Sequence, residues 1–280
     1  MKLQKILSAS LLMMVGIQTL YATNESIAQV EVKQSYASDT EALAKAVQNP
    51  VASMISLPLQ NNINTGIGPN DETQNILNIQ PVWPFELNDD WNLITRTIIP
   101  VVSQPNALTG EGRINGLGDT TFTAFLSPAD AGDIIWGVGP VFMFPTASDD
   151  KLGADKWGAG ISAVVLTMPG RWVIGSLLNN IWSFAGSGEQ DVNSFMWQYF
   201  INYNFDDGWY FTSAPIITAN WEADNDHRWT VPFGGGFGKV FKIGDQPMNA
   251  QLSAYKNVVT PDDYGADWQF RVQLQFLFPK

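Results

Sequence analysis

Cysteine is absent from this chain, and His227 is its one histidine. The first absence excludes disulfides, thiolate metal centres and lipid attachment through a thiol. The second leaves little with which to build a transition-metal site or a hydrolytic base. Positive charge is sparse too: 15 Lys and Arg stand against 27 Asp and Glu, a formal net charge of -12. Such a chain repels nucleic acid and anionic headgroups, so no nucleic-acid partner is expected, and neither a metal nor a cofactor. Beyond residue 22 no window approaches the roughly 18 consecutive apolar residues of a spanning helix.

Aromatics, by contrast, are plentiful, with 11 Trp, 16 Phe and 7 Tyr in a chain whose mean hydropathy is -0.05. Aromatic weight without net hydrophobicity is what strands give when lipid-facing and lumen-facing side chains alternate. The chain divides into three parts. Residues 1–22 place Lys2 and Lys5 ahead of an apolar run from Ile6 to Tyr21 and close on Ala22, the layout of an export signal. That run is shorter than a spanning helix and is broken by Ser8, Ser10, Gln18 and Thr19. Cleavage after Ala22, or as late as Ala28, puts the mature chain outside the cytoplasm. Residues 23–52 read as a polar periplasmic segment with one short helix, Asp39 to Gln48, capped by Asp39 and stopped by Pro50.

Residues 53–280 carry twelve runs of β character, at 53–60, 74–85, 91–103, 119–127, 134–145, 157–167, 172–183, 194–205, 209–221, 228–241, 248–257 and 268–278. In the eighth, Phe195, Trp197, Tyr199, Ile201, Tyr203 and Phe205 share one face against Gln198, Asn202 and Asn204. The last repeats it, with Trp268, Phe270, Val272, Leu274, Phe276 and Phe278 against Gln269, Arg271, Gln273 and Gln275. Period two over such lengths is strand. A soluble β-sandwich shares the alternation, but the connections favour a barrel. Those after even-numbered runs are short, and those after odd-numbered runs are mostly long, including Asn61 to Thr73, Gln104 to Gly118 and Thr146 to Lys156. Tight turns at one end and long loops at the other match an outer-membrane barrel with both termini in the periplasm.

Tryptophan supplies a second test. Trp172 and Trp182 lie on one face, separated by about 25 Å along a barrel axis at about 40° tilt, the height of an apolar band between two aromatic girdles. Trp209 and Trp221 bracket the neighbouring run, Trp91 falls at a turn end, and Trp157, Trp229 and Trp268 fall at loop ends. The fold expected is therefore all-β: a transmembrane antiparallel up-and-down barrel of about 12 strands with a short N-terminal periplasmic helix.

Six stretches resemble a known family: QNPVASMISLPLQNN (Gln48 to Asn62), NIQPVWPFELNDDWNLITRTIIPV (Asn78 to Val101), GLGD (Gly116 to Asp119), WGVGPVFMFPTASDDKLGADKWGAG (Trp136 to Gly160), NNIWSFAG (Asn179 to Gly186) and FLFPK (Phe276 to Lys280). They are similar to outer-membrane barrels grouped with the MetA-pathway phenol-degradation proteins. The resemblance implies an exported barrel passing small hydrophobic or aromatic compounds, with no catalytic residues to carry over. The chain departs from many such barrels at its end, where Phe278 is followed by Pro279 and Lys280.

Little points to chemistry. His227 lies beside Asp224 and Asp226 in a loop with no serine near it in sequence, so an outer-membrane lipid hydrolase is a distant third reading and no enzyme is expected. The acidic pairs Asp89-Asp90, Asp149-Asp150, Asp206-Asp207 and Asp262-Asp263 fall in turns and loops, where Asp is an ordinary turn former. Loop Thr146 to Lys156 lacks the spacing of a calcium loop. Glycines at 137, 139, 158 and 160 and from 234 to 238 precede no helix, and read as bends or close approaches in a wall.

With the large apolar face toward lipid, the inward set is Asn78, Gln80, Arg96, Gln198, Asn202, Thr212, Arg228, Arg271, Gln273 and Gln275. These residues wet a narrow channel, in which Arg96 and Arg271 favour anionic or polarisable solutes, or they fill the interior by satisfying one another. Two functions follow: a passive channel with the N-terminal helix as plug or lid, and a non-conducting structural or adhesive barrel. Expected partners are outer-membrane lipids and lipopolysaccharide, the barrel-insertion machinery and a small-molecule solute.

Overall fold

The computed structural model describes residues 40–106, 112–262 and 264–279. The expected signal segment and the Asp39 cap lie outside the described residues. One short helix, α1 (residues 40–47), precedes the strands. These are β1 (Ile55–Ile67), β2 (Glu72–Ile79), β3 (Val82–Glu86), β4 (Trp91–Pro105), β5 (Arg113–Leu117), β6 (Thr120–Pro128), β7 (Ile134–Phe144), β8 (Lys156–Thr167), β9 (Trp172–Gly186), β10 (Asn193–Asn204), β11 (Trp209–Ser213), β12 (Ile216–Asn220), β13 (Trp229–Ile243), β14 (Gln246–Val259) and β15 (Trp268–Phe278). A 3-10 turn, Asp206–Gly208, and a one-turn helix, α2 (Asn225–Arg228), lie in connections.

Three strands of the wall are each broken once, β2 from β3 at residues 80–81, β5 from β6 at 118–119 and β11 from β12 at 214–215, so the segments make a closed antiparallel barrel of 12 strands. Closure is made by β1 against β15, in register from Ile55↔Phe278 to Thr65↔Trp268. A closed wall leaves no backbone edge for lipid to face, the condition for a sheet to cross a bilayer. No helix among the described residues is long and apolar enough to cross one.

The first connection differs from its expected length. β1 continues to Ile67 and β2 begins at Glu72, so the expected loop from Asn61 to Thr73 shrinks to the turn at residues 68–71. The asparagines that look like turn formers are paired in the ladder: Asn62 is buried inside, and Asn64 accepts from elsewhere in the lumen while donating to Gln74 at 2.9 Å. The opposite end of the barrel carries the tight turns at residues 87–90, 129–133, 168–171, 205–208 and 244–245.

Two glycines show how closely the wall is drawn. A Cβ on Gly139 would lie 1.8 Å from the Ala124 carbonyl oxygen, and one on Gly160 1.8 Å from that of Asn180, with backbone as the obstacle in both cases. Gly139→Ala and Gly160→Ala should each cost about 1–3 kcal/mol, the usual penalty of overpacking, read as a lower midpoint in urea titrations of the refolded barrel.

One seam is weaker than the rest. Pairing runs up to Thr212↔Gly236 and resumes at Thr218↔Thr230, leaving residues 213–217 and 231–235 without ladder partners across that seam. Pro215 and Pro232 fall inside it and bring no N–H to donate. The Ser213 hydroxyl instead donates to the Gly234 carbonyl at 2.7 Å.

Candidate functional site: the lumen and its N-terminal strap

Large side chains point outward. Leu178, Trp197, Ile201, Phe237, Leu252 and Val272 are exposed on the outer face. At the turn end Trp91 meets Trp136 edge-on at 5.9 Å, Trp172 meets Tyr203 at 4.8 Å, and the Lys239 ammonium sits 4.9 Å over Trp209. At the loop end Trp157 packs on Phe144 at 5.7 Å, Trp221 on Trp229 at 5.4 Å, and Lys256 lies 5.6 Å over Trp268, with Trp182 exposed on the same rim. Amphipathic rings in two belts around an apolar wall are how a barrel sits in lipid.

The interior has three levels. At the turn end one side is apolar: Ile94, Phe125, Val164, Leu166, Val173, Leu177 and Phe200 form a buried cluster with Val51 of the N-terminal segment. That segment crosses the mouth as a strap. α1 buries Ala44 against Tyr210 and Val240, with Leu43 and Val47 beside it. Gln48 Nε2 donates to Asn204 Oδ1 at 2.8 Å, and Asn204 Nδ2 donates to the Arg171 carbonyl at 3.1 Å. At this rim Arg171 donates to Asp206 at 2.7 Å, and that carboxylate holds the guanidinium above its ordinary range.

The middle level is polar. Arg96 donates to the Gln80 side-chain oxygen. Arg271, 2% exposed, donates from Nε to Asn62 Oδ1 at 3.1 Å, from Nη1 to the Ala214 carbonyl at 2.9 Å and from Nη2 to Gln269 Oε1 at 3.3 Å, and lies 5.1 Å from the Tyr255 ring centre. Gln198 donates to the same Ala214 carbonyl at 3.3 Å. On the strap side, Tyr210, which packs on Ala44, donates to Asn249 at 2.8 Å, and Asn249 to Gln275 at 3.4 Å. At the loop end a cavity of about 370 Å³ is bounded by Asn64, Gln74, Gln104, Asn257 and Gln269 among others.

Of the residues expected inside, Gln80, Asn202, Thr212, Arg271 and Gln275 are buried, and Arg96, Gln198 and Gln273 line one cavity with Gln80 and Gln275. Asn78 is half-buried on the same face of β2. Arg228 does not join them. It ends α2 at the loop rim, donates to the Ala223 carbonyl at 3.1 Å and lies 5.9 Å from the centre of the outward Trp221 ring. The loop that carries it folds back as a helical turn, so strand parity does not govern its direction. Gln60, Asn62, Tyr210, Asn249 and Tyr255 belong to the lumen although sequence reading missed them. Two of these lie in the stretch taken for a loop or at its edge, and both tyrosines look like lipid-facing residues.

His227 stacks on Tyr264 at 5.3 Å, with ring planes 10° apart. In the acidic loop Asp149 accepts from the Lys151 amide at 3.0 Å and Asp155 accepts from the Ser187 hydroxyl. Among the described residues no three acidic or histidine side chains are arranged to hold a metal ion.

A closed wall, apolar and aromatic-belted outside, polar at mid-height inside and strapped at one mouth, defines a transmembrane β-barrel with an occluded lumen. No protein-family model matches the chain, and no curated protein matches it in sequence. Solved structures do match. The COG4313 outer membrane channel from Pseudomonas putida F1 superposes with a TM-score of 0.62 over 82% of this chain and 97% of that one, at 19% identity. The CymD monoaromatic hydrocarbon channel gives 0.47 over 86% and 92% at 10% identity, and outer membrane phospholipase A from Escherichia coli 0.41 over 86% and 98% at 14%. The first shares the fold, and the other two are too distant to bear on function. The likeness to the MetA-pathway group rests on the sequence segments alone.

Proposed function

We propose that the protein is a bacterial outer-membrane channel for small, hydrophobic or aromatic molecules, oriented with both termini and the strap in the periplasm. The observation that carries this reading is the asymmetry of the lumen. A cavity lies at the loop end, a polar passage follows, and the block at the turn end is a segment that precedes the wall rather than a strand of it. A barrel built only as a scaffold has no need of a separable obstruction and is more simply filled by its own side chains.

Single-channel recording of the refolded mature protein in planar bilayers tests the reading. Brief openings from a low-conducting ground state are expected, together with faster swelling of proteoliposomes in small uncharged aromatic solutes than in sugars. An inserted barrel that stays silent and does not speed swelling would leave the structural, surface-interaction reading in its place.

A further inference from the structure

Arg96 and Arg271 are held inside the wall, and neither has a carboxylate partner among the described residues. Ion pairs such as Lys156–Asp191, Arg171–Asp206 and Lys256–Asp267 lie at the rims instead. Both face the lumen, Arg96 beside Gln80 and Arg271 beside Asn62. Burying a charge without a counter-charge is costly, and two of like sign more so. Their neighbours are neutral amides and carbonyls, which orient the guanidinium groups without cancelling them. In a chain of net charge -12, this is a positive interior inside an acidic protein.

Next to Arg96 lies a cavity of about 150 Å³ between strap and wall. It is walled by the side chains of Gln60, Gln80, Gln198, Gln273 and Gln275, with no carboxylate among its lining residues. Each amide can turn an N–H toward an anion, and Arg presents a planar fork that takes a carboxylate bidentately. Val47, Met54 and Val82 supply an apolar side to the same space. Arg271 reaches this region through Gln198, with which it shares the Ala214 carbonyl.

We propose that this cavity is a binding site for a small monocarboxylate anion with a compact apolar body, held by Arg96 and stabilised electrostatically by Arg271. The charge selects the headgroup, and the volume excludes long acyl chains. The site lies in the lumen of the proposed channel, but binding to it does not require that the channel conduct.

Calorimetric titration of the refolded full-length mature protein in neutral detergent at low salt tests the site, with sodium benzoate as probe and benzamide as its uncharged isostere. Saturable heat is expected for benzoate and not for benzamide. Arg96→Gln should weaken benzoate at least tenfold, Arg96→Lys should retain part of the affinity, and added chloride should compete. Heat-modifiable migration on gels confirms that each variant is folded. Equal affinity for benzoate and benzamide, an unchanged affinity in folded Arg96→Gln, or no saturable heat in the wild type would each overturn the proposal. The isostere comparison needs no mutation, so a misfolded variant does not decide the outcome. A silent channel that still binds benzoate leaves the site standing and removes only the conduction.

Discussion

Val51→Asp should raise the conductance of the refolded barrel several-fold without unfolding its wall. Val51 is 6% exposed among Ile94, Phe125, Leu166, Val173, Leu177 and Phe200, an apolar cluster in which a carboxylate would be stripped of water. An unpaired buried charge costs about 3–5 kcal/mol, and at about 1.4 kcal/mol per decade this moves the docking equilibrium of the strap by two decades or more. The strap can leave because it forms no part of the ladder, which runs from β1 around to β15 without it. The converse experiment uses the absence of native cysteine. In a Gln48→Cys, Asn204→Cys double variant, at positions whose side chains now touch, a short bis-methanethiosulfonate crosslinker should lock the strap and suppress openings, and reductant should restore them. If crosslinked and reduced channels conduct alike, the strap is not the obstruction.

The second large effect is expected on the outer face. Leu178→Arg should cost about 2–4 kcal/mol in lipid, the penalty of a cation near the bilayer midplane. Leu178 is exposed on β9 between Trp172 and Trp182, which mark the two interfaces. Ile134→Arg, at the turn-end rim of β7, should cost no more than about 1 kcal/mol, because there the side chain reaches headgroups and water. Urea unfolding in phospholipid vesicles, followed by tryptophan fluorescence, separates the two. Equal penalties would mean that the apolar band is not where the aromatic belts place it.

Much of the wall was legible because a spanning strand must hide one face in lipid and keep the other wet. β10 and β15 read cleanly, with aromatics on one side and Gln, Asn and Arg on the other, and both begin and end within a residue or so of where alternation places them. β1 misled for the same reason: its lumen-facing half is rich in asparagine, and a polar strand segment has the composition of a loop. The breaks at residues 80–81 and 214–215 left no mark on the periodicity, since pairing register continues across both, whereas at 118–119 the register shifts by one residue and β5 lies within the stretch expected as the loop Gln104 to Gly118. Of the site, Arg96 and Arg271 were legible as charges on a wet face, whereas Arg228 obeyed parity in sequence and not in space.

The apolar floor was missed by assuming that everything inside a barrel is polar. Its signature is nevertheless in the sequence. Val164-Val165-Leu166, Val173-Ile174 and Leu177-Leu178 break alternation by being apolar on both faces, with Val165, Ile174 and Leu178 outward and Val164, Leu166, Val173 and Leu177 inward. That second face is buried by the wall's own Ile94, Phe125 and Phe200 and by Val51, which docks among them.

Ile55 and Phe278 are partners across the seam that closes the barrel. The ring therefore has no structural beginning. A circular permutant that joins residue 278 to 55 through a short linker and opens the chain in the turn at 68–71 should keep every strand pairing while severing the strap from its anchor. Cutting and rejoining the chain in this way would separate gate from wall as two modules, the one able to change in sequence and length without disturbing the other.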